Sequence, residues 1–484
     1  MNLLERIDRW AVAAPNAIAH ISGDQRLTYR ELRRRSNALA TRLTDLGDDC
    51  SPIAVLGHRE PEMLVAFLAA AKSGRAYIPL DTALPQQRIE KILEISRPAL
   101  LLTPQDVASF PVASTDPPDR PAHVADPFYI LFTSGSTGEP KGVVITLGCM
   151  EHFVNWMLEE QRFLPLGETF LNTAPFSFDL SVMDIYCSLA TGGTLFSIGR
   201  DLVTNPKMLY RAFGNCGATT WVSTPAFAQM CLVEAKFSGE MLPRIRRFLF
   251  CGDTLSPQTA ARLLERFPEA EVWNMYGPTE ATVATTSVRI DHAILKKYPA
   301  LPVGRPMPGT DVFIMNEAGQ SVRADERGEI VIAGPNVSAG YLARPELTAA
   351  AFLYQGDLRV YRTGDQGRFR DGLLFFEGRK DSQLKLSGYR VELGDVEANL
   401  LALPAVRDAV VTPVIKNSSA QSLAAFVVLN RGTEQSNFEM TQSLRRELAE
   451  RLPAYMLPRK FVFLDAFPLT ANGKADRAQL AQSL

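Results

Sequence analysis

Short, uninterrupted apolar runs alternate along this chain with stretches whose apolar positions recur at helical spacing. Ile53–Gly57 reads as a buried strand, residues 60–72 as a helix with an apolar face, and 76–80 as the next strand. A second unit of the same kind follows at 248–251 (strand), 257–267 (helix) and 271–274 (strand). Strands separated by helices predict parallel sheets with right-handed crossovers. Residues 367–378 read as a hairpin turning at Asp371-Gly372, a residue pair suited to a two-residue turn. Beyond Lys380 the rhythm changes to a helix at 396–403, strands at 409–414 and 424–429, and a helix at 440–451. The pattern predicts an α/β protein in two parts. A large N-terminal domain of parallel-rich sheets packed with helices covers 1–380, and a small α+β domain covers 381–484. There are no internal repeats, and 114–120 (STDPPDR) is a polar, proline-rich loop.

Bulk properties narrow the function class. The 484 residues are enough for two or three domains with sizeable cores, and 46% hydrophobic with 21% charged residues is ordinary for a globular protein. A formal net charge of -2 gives no electrostatic case for nucleic acid or an anionic membrane. The first residues carry Glu5 and Asp8 and lack a long apolar core, unlike a secretory signal. No apolar stretch approaches the ~18 residues of a membrane span. The six cysteines are dispersed without a C-x-x-C pair, which argues against disulfides or zinc and fits a reducing, cytoplasmic setting. The five histidines form no ligand spacing and give little support to histidine-based catalysis.

Candidate chemistry begins at 129–142, YILFTSGSTGEPKG. An apolar strand empties into Thr133, Ser134, Gly135, Ser136, Thr137 and Gly138, and the segment ends on Lys141. Glycines let backbone approach a ligand, hydroxyls and amides donate hydrogen bonds, and lysine adds positive charge, so these are parts of a phosphate-binding loop. Gly142 follows Lys141 where the Walker pattern needs Ser or Thr, which disfavours a generic nucleotide-binding ATPase. A plain Ser/Gly turn between strands is the other reading of the loop by itself.

The loop is one of eight motifs in a fixed order. The others are LTYRELRRRSNALATRL (27–43), FDLS (178–181), NMYGPTE (274–280), GEIVIAGPNVSAGYL (328–342), YRTGD (361–365) and GRKDSQLKLSGYRVELGDVE (378–397), with LTANGKADR (469–477) closing the chain. Together they resemble the adenylate-forming enzymes, which include acyl-CoA synthetases, luciferases and the adenylation domains of nonribosomal peptide synthetases. The resemblance implies a large N-terminal domain, a C-terminal lid swivelling at Asp381 between two half-reactions, and ATP with Mg²⁺ as cofactors.

Activating a carboxylate with ATP brings two anions together and stabilises charge on the α-phosphate, which is work for positioning and electrostatics. The resemblance gives Lys474 the bridge between the carboxylate and α-phosphate; by itself it is a lysine in an Asn-Gly turn. Glu280 is implied as the Mg²⁺ ligand, oxygen being the donor Mg²⁺ prefers; otherwise it is a helix N-terminal glutamate. Tyr276 resembles the aromatic that stacks on adenine, and Asp365, otherwise a turn residue, the acceptor for the ribose hydroxyls. Arg379 is placed at the ribose or phosphates, and Asn274, Gly277 and Thr279 at the nucleotide. Lys385 resembles the second lid lysine, used for thioester formation, and is otherwise a surface lysine.

Substrate class turns on Asp179. Amino-acid-activating members of the family use an aspartate here to pair with the α-ammonium, whereas aryl- and fatty-acid activators do not need that charge. The alternative is an N-cap for the helix starting near Leu180. By motif offset the remaining pocket residues are Leu180, Met183, Ser223, Leu249, Cys251, Met275, Val283 and Ala284. They are mostly apolar, leave little room, and offer nothing to pair with a charged side chain. The segments 177–186, 221–232, 248–255 and 276–288 resemble D-alanine–carrier-protein ligases, in which a cysteine in the FCG segment crowds the α-carbon and favours the D enantiomer. Cys251 matches it, although a small buried cysteine is also common in strands. SGYRVELGDVE departs toward peptide-synthetase adenylation domains. A stand-alone adenylase for L-alanine, glycine, serine or proline therefore stays open.

No serine lies in a carrier-type (L-G-G-x-S) context, and only ten residues follow Lys474. The acceptor thiol is thus expected on a separate phosphopantetheine carrier protein, and the chain is expected to be a monomer. A coenzyme A ligase of the same fold is disfavoured by Asp179. A degenerate, non-enzymatic domain is disfavoured by Lys474, Glu280, Asp365 and Lys141 together.

Overall fold

The computed structural model describes residues 1–47, 50–111, 116–118, 120, 122–135, 138–356, 358–380, 383–386, 388–416, 419–430, 436–468 and 475–484. By packing, the chain forms two compact units. One comprises Met1–Asp81, Ser96–Leu131 and Gly142–Lys380; the other comprises Thr82–Ile95, Phe132–Lys141 and Asp381–Leu484. The segments 82–95 and 132–141, which the sequence division places in 1–380, thus cluster with the C-terminal residues.

The first unit is built on three sheets. Among the described residues the largest has nine strands, with Arg305–Pro306, Thr286–Ile290, Glu271–Tyr276, Arg247–Phe250, Thr220–Ser223, Thr169–Asn172, Thr194–Ser197, Ile18–Ser22 and Gln25–Thr28 in spatial order. Its centre is parallel and its two ends antiparallel. The six-stranded sheet holds Tyr77–Asp81 parallel to Ile53–Gly57, as the alternation predicts, with strand bounds within one residue of those expected. The third sheet, of five antiparallel strands between Asp311 and Arg379, has only its hairpin foreshadowed by sequence. Asp371 and Gly372 turn that hairpin with φ of 54° and 73°, the paired positive values its tight turn requires.

Helix starts after the parallel strands repeat one device. Thr224 caps Pro225–Cys231 and Ser256 caps Pro257–Arg266, each side chain accepting from the third helical N–H, with proline at the first helical position. Proline there loses only an N–H that has no partner inside the helix, and its fixed φ suits the turn. Every residue of the helix Leu180–Thr191 is buried. One core packs this helix with Tyr77, Phe128 and Val143, and a second joins Phe213, Trp221, Phe237, Phe248 and Phe267.

In the second unit Gln383–Leu386 and Tyr389–Glu392 form a hairpin. Val406–Lys416, Ser419–Leu429 and Lys460–Phe463 form a sheet against the helices Leu393–Leu401 and Asn437–Ala449. Leu386, Val391, Val396, Leu400, Leu423, Leu444 and Met456 make its core. The expected helix at 396–403 runs instead from Leu393 to Leu401, with Asp395 in its first turn, where a negative charge suits the helix dipole. Among the described residues no helix is long and apolar enough to cross a membrane.

Candidate active site

In the first unit the parallel strands Thr220–Ser223, Arg247–Phe250 and Glu271–Tyr276 lie side by side. Their carboxyl ends, where open α/β sheets place ligands, carry Ser223, Cys251 and Tyr276. Leu180, Met183, Leu249, Cys251, Met275, Val283 and Ala284 belong to one buried cluster. Ser223 is buried as well, its hydroxyl donating to the Thr224 carbonyl at 3.3 Å. The residues expected from sequence to line an apolar pocket are thus all buried in the first unit, seven of them in its main core, and none of them is charged.

Asp179 stands at the N-cap position of Leu180–Thr191 but makes no side-chain cap hydrogen bond. Its carboxylate instead accepts from the Thr279 hydroxyl at 2.6 Å. The carboxylate thus joins the helix start to the NMYGPTE turn.

That turn is tightly built. A Cβ on Gly277 would lie 2.6 Å from the Ala284 Cα, so only glycine fits where the chain folds back on itself. Glu280 is fully buried, and Tyr341 donates its hydroxyl to Glu280 Oε1 at 2.8 Å. Thr282 and Val283 take left-handed φ values of 56° and 67°, uncommon for any side chain and strained for β-branched ones. The Val283 carbonyl accepts from the Cys251 thiol at 3.5 Å.

Among the residues expected to meet a nucleotide, the Tyr276 hydroxyl donates to Asp365 Oδ2 at 2.6 Å, and Arg379 pairs with Asp365 Oδ1. Asp365 and Arg379 face each other across two antiparallel strands, which fixes the pair by register. Burial and the Asp365 carboxylate hold the Tyr276 phenol well above its usual pKa, so it stays a donor. The Tyr276 ring also packs against Phe376, with centroids 6.0 Å apart. Asn274 behaves differently: its amide is spent on the Pro302 carbonyl at 2.8 Å, which anchors the strand.

In the second unit the glycine-rich loop has the close backbone its composition predicts. Gly138 donates to the Gly135 carbonyl at 3.1 Å with φ of 84°, and a Cβ on Gly135 would sit 2.1 Å from the Glu139 carbonyl. Thr133 donates to the Lys141 carbonyl at 3.5 Å. Ser134 donates to the Arg390 carbonyl at 3.0 Å and accepts from the Glu392 N–H at 3.2 Å. Lys141 Nζ lies 3.9 Å from Glu392 Oε1. Lys385 is half-buried in the hairpin opposite Arg390. Ser136, Thr137, Asp381 and Lys474 lie outside the described residues.

Two side chains in contact with the site residues were given no role by sequence reading: Tyr341, through Glu280, and Asn336, through the 281–285 turn. Both lie in the 328–342 motif, but their partners are some fifty or sixty residues away, a pairing that no local pattern reports. Among the described residues no group of three or more His, Cys, Asp or Glu side chains is placed to hold a metal without help from a ligand.

Comparison with known proteins identifies the family. The family model described as AMP-binding enzyme matches residues 7–116 and 105–342, and the AMP-binding enzyme C-terminal domain matches 395–474. A D-alanine–D-alanyl carrier protein ligase of Bacillus cereus is 45% identical over 499 residues, covering 99% of each chain. The Vibrio cholerae adenylation domain AlmE, solved in complex with glycyl-adenosine-5′-phosphate, has the same fold with a TM-score of 0.86 at 22% identity, over 99% of this chain and 97% of that one. An NRPS protein containing adenylation and PCP domains, holo-PA1221 bound to a vinylsulfonamide inhibitor, matches with a TM-score of 0.84 and 28% identity over 100% of this chain and 84% of its own. The chain belongs to the AMP-binding enzyme family.

Proposed function

We propose that this protein is an AMP-forming ligase that activates D-alanine with ATP and passes it to the phosphopantetheine thiol of a separate carrier protein. The observation that carries the reading is Asp179. Its carboxylate is not used as a helix cap, and it accepts from Thr279 on the turn that also carries the buried apolar residues Val283 and Ala284. Such a site takes an ammonium group and a small side chain. The named Bacillus cereus relative supports D-alanine as the amino acid.

In the first half-reaction a carboxylate oxygen of alanine attacks the α-phosphorus of ATP. The bond to the bridging oxygen breaks, and pyrophosphate leaves with that electron pair. Asp179 pairs with the α-ammonium, while Lys474 balances charge at the carboxylate and α-phosphate. Asp365, held by Tyr276 and Arg379, accepts from the ribose hydroxyls, and the loop 133–141 with Lys141 meets the phosphates. Glu280, a buried carboxylate steadied by Tyr341, has the oxygen chemistry to hold Mg²⁺, the phosphates supplying further ligands; when bound, the ion neutralises phosphate charge. In the second half-reaction the carrier thiolate attacks the acyl carbon, the acyl–phosphate C–O bond breaks, and AMP leaves. Lys385 serves this step when the lid, swivelling at Asp381, presents its other face. The site is read as cytoplasmic and the protein as a monomer.

The hairpin sequence SGYRVELGDVE favours, as the second reading, a stand-alone adenylase for a small L-amino acid. The test is charging of purified carrier protein, in its holo and apo forms, with coenzyme A as competitor. D-alanyl thioester on the holo form alone supports the proposal. Thioester on coenzyme A in preference to carrier would overturn it.

A further inference from the structure

The 328–342 motif contains a fully buried polar side chain, Asn336, that no step above uses. Its amide N–H groups donate to the Ala281 carbonyl at 3.0 Å and to the Thr285 hydroxyl at 3.1 Å. Its amide oxygen accepts from the Thr310 hydroxyl at 2.8 Å, and its backbone carbonyl from the Thr282 hydroxyl at 2.7 Å. The side chain therefore bridges the two ends of the segment 281–285, and its backbone holds the middle.

Between those fixed points lie Thr282 and Val283, whose left-handed backbones are strained and persist only where surrounding contacts over-determine them. Val283 is one wall of the apolar cluster, and its carbonyl accepts from Cys251. The clamp is itself anchored. Ser338 donates its N–H to the Glu280 carbonyl at 2.9 Å, and Gly340–Tyr341 pairs with the strand Lys141–Thr146 at Val144 and Val143.

We propose that Asn336 is a positioning residue for stereochemical selection: by clamping the strained Thr282–Val283 turn it sets where Val283 and Cys251 stand against the substrate's α-carbon. The inference rests on the reading of this site as a D-alanine pocket. Asn336 touches no substrate in this account. Its effect passes through the turn, and it should move discrimination between enantiomers without moving ATP binding.

The experiment is ATP–pyrophosphate exchange with D- and L-alanine, giving kcat and KM for each enantiomer and for ATP, together with thermal midpoints. Asn336→Ala is expected to lower the D/L ratio of kcat/KM by about tenfold, chiefly through KM for D-alanine, since a misplaced pocket contact is worth a factor of this order. KM for ATP should stay within about twofold, well inside what one ordinary contact contributes. Adding Thr282→Gly, which adopts positive φ without strain, should restore part of the lost ratio. If Asn336→Ala does not fold, Thr310→Val carries the test: it removes the bond that orients the amide and should shift the ratio in the same direction by less. An unchanged D/L ratio in a folded variant, or equal losses for alanine and ATP, would overturn the clamp. Absence of alanine-dependent exchange in the unaltered protein would instead overturn the substrate reading, and so is told apart.

Discussion

In the proposed reading, Cys251 and Asp179 divide the recognition of an amino acid between shape and charge. Cys251 is buried at the end of a central strand, its thiol turned to the Val283 carbonyl, while Asp179 stands at the start of a buried helix and accepts from Thr279. Cys251→Ala should relax D-over-L discrimination by about tenfold in kcat/KM, the scale of one small group in a tight pocket. An unchanged ratio would remove the thiol from the filter. Both residues were legible in the sequence because each sits in a motif. The roles of Tyr341 and Asn336 were not, since they exist only once distant segments meet. A separate residue sets a pH dependence of stability. His20 is fully buried, its Nε2 2.9 Å from the Ser197 hydroxyl, and burial, aided by the Arg59 charge, lowers its pKa to about 3. The native state therefore keeps the ring neutral between pH 6.5 and about 3 while the unfolded chain takes up a proton. Stability falls as pH drops through that window, by up to about 1.4 kcal/mol per unit, and is fully present above it. Thermal midpoints of the unaltered protein and His20→Gln, followed from pH 7.5 to pH 5, should converge or cross as pH falls. Parallel curves would assign the acid sensitivity elsewhere.

At the scale of elements, the segment 276–285 shows how much a short motif leaves unsaid. The sequence NMYGPTE marks a strand running into a turn, and the strand expected at 271–274 forms and continues to Tyr276. That the chain then passes through two left-handed β-branched residues has no local signature, because nothing about Thr-Val favours positive φ. The tertiary contacts decide it, with Gly277 admitting Ala284 and Asn336 tying the ends. Gly277→Ala should therefore destabilise the protein by ~2 kcal/mol, the usual scale of forced overpacking, and abolish exchange. A variant with an unchanged thermal midpoint and full activity would show that the turn can yield. The five-stranded antiparallel sheet was missed for a related reason: three of its strands, Asp311–Met315, Leu358–Arg370 and Leu373–Arg379, combine half-exposed positions with charged residues, and only the Asp-Gly turn announced a hairpin.

For the whole molecule, the alternation of apolar runs and helices was enough to read a parallel-rich α/β unit followed by a smaller α+β part. Parallel strands buried on both faces are continuous apolar runs, and their connecting helices have strong caps. What one-dimensional pattern lacks is the assignment of 82–95 and 132–141, interior segments that pack with the C-terminal residues. Within that unit Arg88 lies 3.2 Å from the buried Asp395, and Ser134 and Lys141 both engage Glu392. The two lysines of the proposed lid offer the test at this scale. Lys474→Ala should reduce adenylation by ~10²–10³, the usual loss for one transition-state donor, while Lys385→Ala preserves adenylation and slows thioester formation. Equal loss of both half-reactions in both variants would contradict a lid that uses two faces. The most direct test of the central claim is ATP–pyrophosphate exchange across a panel of D- and L-amino acids. The account predicts strong exchange with D-alanine and weaker exchange with L-alanine, glycine, serine and proline. A preference for any L-amino acid, or exchange with none, would contradict it.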